Sequence, residues 1–193
     1  HLSIRRQRQM CIRDSHYILQ NKKVAVISVD PSSIKHKGAL LGDRIRMKDW
    51  YLHPSVYIRS LASRLHLGGL VKSINKITQF LKSVGFDIVI LETVGVGQSE
   101  VEVASVADVT LLVLVPEAGD DIQMMKSGLF EVANIFVVNK SDRADAKKFL
   151  SHLTHSLNDR IQAGEKVGIV ETVANTGVGI EALDDCINSF LNQ

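Results

Sequence analysis

The chain is expected to fold as an α/β protein, with a mostly parallel sheet carrying helices on both faces. Three observations predict this. Short apolar runs alternate with amphipathic stretches from Lys22 to the end of the chain. The runs are β-branched and nearly continuous, the pattern of strands buried on both faces. Several close on an acidic or amide residue, and ligands of such sheets bind at the carboxyl ends of the strands.

In chain order, Val24 to Val29 reads as a buried strand ending at Asp30-Pro31. Residues 35–46 are polar and contain Gly38 and Gly42, a loop composition. Val56 to Leu61 is a further candidate strand. From Gly69 to Val84 the helical period places Leu70, Ile74, Ile77, Phe80, Leu81 and Val84 on one face, stopped by Gly85. The strand Phe86 to Leu91 follows, then a helical stretch from Ser99 to Ala107 and a strand from Val109 to Val115. Asp121 to Val132 reads as a helix leading into the strand Ile135 to Val138. Asp142 to Gln162 is expected to be one long surface helix. Val167 to Val170 is a last strand, and Ile180 to Leu191 a closing helix. No internal repeat, low-complexity tract or interdomain linker interrupts the pattern.

A chain of 193 residues suits one domain with a sizeable core. None of the apolar runs is long enough to span a bilayer. The two cysteines, Cys11 and Cys186, have neither metal-ligand spacing nor a disulfide framework, which fits a reducing cytoplasm. The first fifteen residues hold four arginines and one aspartate, a net +3, while the whole chain is +2, so the rest is about −1. The basic balance therefore sits in the leader, and nucleic-acid binding gains little from it. Residues 1–15 have no apolar segment of the kind a secretory signal needs. A transit peptide or basic arm would also be rich in arginine, but Arg5 to Ser15 resembles translated adapter sequence. The expected organisation is a non-native leader over 1–15 and one partial domain over 16–193.

Two segments carry the chemistry. Glu92-Thr93-Val94-Gly95-Val96-Gly97-Gln98 ends one strand, and Asn139-Lys140-Ser141-Asp142 ends another. A carboxylate at Asp142 can accept from both N1–H and the exocyclic N2–H of guanine in a charge-assisted pair. Asn139 can tie the loop together and reach the base edge, and the Lys140 stem can lie along the purine face. Adenine lacks those two donors and would leave the carboxylate unpaired. In the first segment Gly95 lets the backbone approach a terminal phosphate with its N–H. Glu92 is placed to hold Mg²⁺ or its water, and Gly97 adds freedom for switching. Asp30 and Asp43 are further candidate metal-site carboxylates, although by spacing alone each fits a turn or cap residue better. Asp120 and Lys126 bracket the start of a helix, where Asp fits a cap and Lys a solvated surface residue. Val173-Ala174-Asn175-Thr176-Gly177 stands where a second base-contacting loop would lie, and reads as well as a plain strand-to-helix loop. His152 and His155 share a helix face without a third ligand. Met124, Met125 and Trp50 read as packing residues. No G-x-x-x-x-G-K-[ST] is present, so the expected fold is P-loop NTPase-like but incomplete.

With Val24 to Ser33, Leu41-Gly42-Asp43-Arg44-Ile45-Arg46-Met47, Glu92 to Glu100 and Asn139 to Asp142, the chain resembles the MeaB/ArgK family over most of its length from about Tyr17. These are GTPases associated with methylmalonyl-CoA mutase. The resemblance implies a GTP- and Mg²⁺-dependent chaperone of an adenosylcobalamin-dependent acyl-CoA mutase, and the composition adds the expectation of a cytoplasmic protein with no nucleic acid or membrane as partner. It implies that Asp30, Asp43 and Glu92 surround the metal, that Gly95 contacts the γ-phosphate, and that Asn139, Lys140 and Asp142 read the base. Gly119 to Lys126 resembles the family's extra switch, with Asp120 and Lys126 its working residues, although Met124-Met125 departs from the small residues usual there. Family members carry a strand, P-loop and helix ahead of the segment starting near Tyr17, and a C-terminal dimerisation extension. The resemblance thus implies a homodimeric parent and an inactive fragment, since the P-loop supplies phosphate affinity and transition-state stabilisation. Two alternatives remain: a metal-insertion GTPase of the same superfamily, which would need a Cys/His cluster, and a non-catalytic interaction protein that kept the fold.

Overall fold

The computed structural model describes residues 16–30, 52–62, 67–93, 98–116 and 128–192. The chain divides into two compact units, His1–Ala107 and Asp108–Gln193. Each unit carries a three-stranded parallel sheet, so the strands expected on one sheet fall into two groups.

In the first unit the order is β2-β1-β3, with β1 at Val24–Asp30, β2 at Val56–Ala62 and β3 at Ile88–Thr93. The central strand is the β-branched run, and Val24, Ala25, Val26 and Ile27 are all fully buried. Ala25, Ile27 and Val29 pack with Ile74 and Leu81 of helix α1 (Leu67–Ser83) and Val103 of helix α2 (Gln98–Ala104). On the opposite face Val24 and Val26 pack with Tyr17, Ile58 and Ile90. The Tyr17 ring belongs to a helical turn at 16–19, and the Lys22 ammonium lies over it.

Helix α1 corrects one expectation. Ile74 and Leu81 are buried and Ile77 is half-buried, but Phe80 is 63 % exposed and Val84 49 % exposed. The buried stripe runs through 74, 77 and 81. Phe80 stands about 100° away from Leu81 around the helix, and Val84 follows the helix end. The side chain of Leu70 lies outside the described residues.

In the second unit the order is β4-β5-β6, with β4 at Leu111–Leu114, β5 at Ile135–Asn139 and β6 at Gly168–Thr172. Every residue of β5 is buried, as its apolar run requires. Ile135, Val137 and Val170 pack with Leu183 and Ile187 of helix α6, Ile180–Leu191. The close approach there needs Gly168, where a Cβ would run into the Cys186 Sγ and the Ile135 side chain.

The expected long helix over 142–162 is a turn followed by two helices. With helix α3 at Gly128–Val132, these are α4 at Ala146–Ser156 and α5 at Asn158–Gln162. Leu157 divides them and is fully buried, while its N–H bonds the carbonyls of Leu153 and Thr154. Nor is the segment simply a surface helix, because Ala146, Phe149, Leu153 and Leu157 are all buried. Arg160 of α5 holds the end of α3: its Nη1 donates to the carbonyls of Phe130 at 2.7 Å and Ala133 at 3.1 Å. Its Nε donates to Glu165 Oε2 at 2.7 Å. Of the expected Asp121–Val132 helix, 128–132 is helical, and 121–127 lie outside the described residues.

Candidate functional site

The segment expected to read the base begins where β5 leaves the core. Asn139 is its last residue, 5 % exposed, opposite Thr172 of β6, which is 1 % exposed. The Asn139 Oδ1 accepts from the Ala174 N–H at 3.1 Å and from the Thr172 Oγ1 at 3.4 Å. Lys140 then takes φ +60, left-handed backbone that turns the chain sharply at a cost of about 1–2 kcal/mol for a non-glycine residue. Ser141 faces back to the neighbouring strand: its N–H donates to the Thr172 carbonyl at 3.1 Å and its Oγ at 3.3 Å. The Arg143 N–H closes the turn on the Lys140 carbonyl. Asp142 is exposed and makes no hydrogen bond or ion pair among the described residues.

The turn after β6 is closed on itself. Val173 and Val178 form an antiparallel bridge, and the N–H groups of Thr176 and Gly177 both reach the Val173 carbonyl. Gly177 and Gly179 have φ of +79 and +82, and a Cβ at Gly179 would collide with the Glu171 carbonyl oxygen. Ala174 is buried and Asn175 exposed. Of the predicted base-reading set, Asn139, Lys140, Asp142 and the Ala174-Asn175 turn therefore meet at the carboxyl ends of β5 and β6. Thr172 and Ser141 were not among the predicted residues, although they link these turns.

In the first unit Glu92 lies near the carboxyl end of β3, opposite Ser28 of β1, and is half-buried. Asp30 closes β1 on the neighbouring strand, two positions beyond Ser28. Asp43, Gly95, Asp120 and Lys126 lie outside the described residues, as do Trp50, Met124 and Met125. His152 and His155 on α4 are exposed, and among the described residues no group of three His, Cys, Asp or Glu side chains could hold a metal. Burial pushes the Cys186 thiol above its ordinary pKa, opposed by the Lys166 ammonium. Among the described residues no helix is long and apolar enough to cross a membrane.

Residues 14–193 match the family model of methylmalonyl-CoA mutase-associated GTPase MeaB. The chain belongs to the MeaB family. A relative from Pyrococcus horikoshii, PH0274, is 48 % identical over 164 residues, covering 83 % of this chain and 52 % of that protein. GTPase ArgK of Escherichia coli is 45 % identical over 125 residues, covering 65 % of this chain and 38 % of that one. The methylmalonic aciduria type A homolog, mitochondrial, of Caenorhabditis elegans is 42 % identical over 123 residues, covering 64 % and 31 %. The chain thus spans about half the length, or less, of these curated relatives. Among solved structures, HypB from Helicobacter pylori in complex with nickel aligns with a TM-score of 0.62 at 13 % identity, covering 94 % of this chain and 79 % of that one. At that identity the likeness is one of fold alone, α/β with parallel strands.

Proposed function

We propose that this MeaB-family chain belongs to a guanine-nucleotide-dependent GTPase that serves as chaperone to an adenosylcobalamin-dependent acyl-CoA mutase of the methylmalonyl-CoA type. The observation that carries the guanine reading is the Asn139–Asp142 turn. Its Asn139 oxygen is held by two donors, and its Asp142 carboxylate is open to a ligand. Asp142 accepts the N1–H and N2–H of the base, Asn139 holds the loop, and the Lys140 stem covers the ring. Ala174 and Asn175 form the second wall of the base pocket. The mutase reading is supported by the description of the family model and by the name of the nematode relative.

For the phosphate end, Gly95 offers its N–H to the γ-phosphate, and Asp120 and Lys126 act in the switch through which the mutase stimulates hydrolysis. The carboxylates of Asp30, Asp43 and Glu92 are hard oxygen donors of the kind Mg²⁺ takes, and the strands bearing Asp30 and Glu92 are neighbours. Bound there, Mg²⁺ would neutralise charge on the phosphates. A cytoplasmic homodimer completes the proposal. The metal-insertion alternative has less support, because the HypB likeness is one of fold alone.

The test is equilibrium binding of GTP and ATP to the protein as encoded at its native locus. A preference for GTP of about 100-fold or more is expected, because ATP leaves the Asp142 carboxylate unpaired. Equal affinities would overturn the guanine reading.

A further inference from the structure

The links between the two turns of the second unit have a consequence for recognition. We propose that Thr172 and Ser141 are positioning residues, a clasp that holds Asn139 and Asp142 in the geometry that reads the base. This rests on the guanine reading above and adds to it the residues on which discrimination depends.

Asn139 and Thr172 are register partners at the ends of β5 and β6. Beyond them both chains leave the sheet, and their backbone groups lose ladder partners. The two turns satisfy each other instead. The Thr172 carbonyl takes the Ser141 N–H at 3.1 Å and the Ser141 hydroxyl at 3.3 Å. The Asn139 Oδ1 takes the Ala174 N–H at 3.1 Å and the Thr172 hydroxyl at 3.4 Å.

Two results follow. With its oxygen held by two donors, the Asn139 carboxamide has its NH₂ end left for a ligand acceptor, and that nitrogen makes no hydrogen bond among the described residues. Ser141 lies between the left-handed Lys140 and the exposed Asp142, so tethering Ser141 fixes the course of the backbone into Asp142. A donor and an acceptor from one short turn are thereby held by a neighbouring strand rather than by the ligand. Preorganisation of that kind raises affinity by removing the ordering cost from the binding step.

Thr172→Val keeps the shape and removes the hydroxyl, while Thr172→Ser keeps the hydroxyl. Ser141→Ala removes the second side-chain link and leaves the backbone bond in place. The readout is equilibrium binding of fluorescent GDP to the protein as encoded at its native locus, with competition by IDP and ADP and thermal unfolding alongside. Hypoxanthine lacks the 2-amino group, so the GDP-to-IDP ratio reports the second hydrogen bond to Asp142. A loss of fold lowers both affinities together and leaves that ratio unchanged.

Thr172→Val is expected to weaken GDP about three- to tenfold, the range of a single neutral hydrogen bond, and to lower the GDP-to-IDP ratio. Thr172→Ser should stay within about twofold of the parent. Ser141→Ala should lower the ratio about twofold, because the shared carbonyl keeps the backbone N–H. A Thr172→Val protein with unchanged affinity and ratio overturns the clasp. So does a Thr172→Ser protein as weak as the valine variant, since the loss would then be one of packing. Should the valine variant fail to fold, an unchanged ratio in Ser141→Ala overturns the proposal by itself. A parent protein that does not prefer GDP over ADP removes the guanine reading and the clasp with it, an outcome distinct from the others.

Discussion

Replacing Asn139 by alanine tests the site at a buried acceptor shared by two donors. The Oδ1 of Asn139 is shared by the Ala174 N–H at 3.1 Å and the Thr172 hydroxyl at 3.4 Å. Ala174 is 4 % exposed and Thr172 1 %. Alanine removes the acceptor and leaves both donors in place. A buried donor left unsatisfied costs about 1–3 kcal/mol, and the hydroxyl, already at a long distance and able to rotate, contributes at the low end. The expected loss is about 2–4 kcal/mol, a large part of the roughly 5–15 kcal/mol typical of a domain. With a urea m-value of about 1–2 kcal/mol per molar, the unfolding midpoint should fall by roughly 1–4 M. Urea titration followed by circular dichroism reads the total. Hydrogen exchange at the Ala174 amide reads the local event, and its protection should fall in the variant. A stability within about 0.5 kcal/mol of the parent, with Ala174 still protected, would refute the reasoning, since the acceptor would then contribute nothing.

Three further outcomes follow from the packing. Gly179→Ala should destabilise the chain by about 2–4 kcal/mol by urea titration, because φ +82 disfavours a side chain and the new Cβ meets the Glu171 carbonyl. Arg160→Met should cost about 1.5–3 kcal/mol, since the Phe130 and Ala133 carbonyls lose a charged donor, whereas Glu165→Gln should cost under about 1 kcal/mol because that partner is half in solvent. Cys186 should react slowly with iodoacetamide at pH 8 until denaturant is added, as read by peptide mapping. Its raised pKa favours the thiol in the folded state, so its contribution to stability is present below the unfolded pKa and lost as pH rises through the folded one.

The strands and the closing helix were legible because burial and period agree in them. Val24 to Ile27 is an unbroken apolar, largely β-branched run and forms most of the central strand β1. Ile180 to Leu191 shows one apolar stripe, bounded by Gly179, and forms α6 over the same residues. The break at Leu157 was not legible. Ala146, Phe149, Leu153 and Leu157 continue a single helical stripe, and no Gly or Pro marks the change of direction. Period alone likewise placed Phe80 inside, because a stripe shows which residues share a face but not how wide the covered part is. At the site, Asn139, Lys140 and Asp142 were readable from chemistry and spacing, whereas Thr172 and Ser141 were not. Their roles depend on the pairing of Asn139 with Thr172, which lies 33 residues away and is set by the sheet register. A hydroxyl residue closing the strand after β5 was the available signal, and many surface strands end that way.

The most direct test of the central claim is an exchange of base preference at Asp142. Xanthine carries a carbonyl where guanine carries the 2-amino group, so an asparagine at this position offers a donor to xanthine and removes an acceptor from guanine. The affinities of GDP and XDP are measured for the parent protein and for Asp142→Asn. The account predicts a parent that prefers GDP and a variant that prefers XDP, each by about tenfold or more, as loss of one good charge-assisted pair requires. A variant that binds both nucleotides as the parent does would contradict it, because Asp142 would then not touch the base.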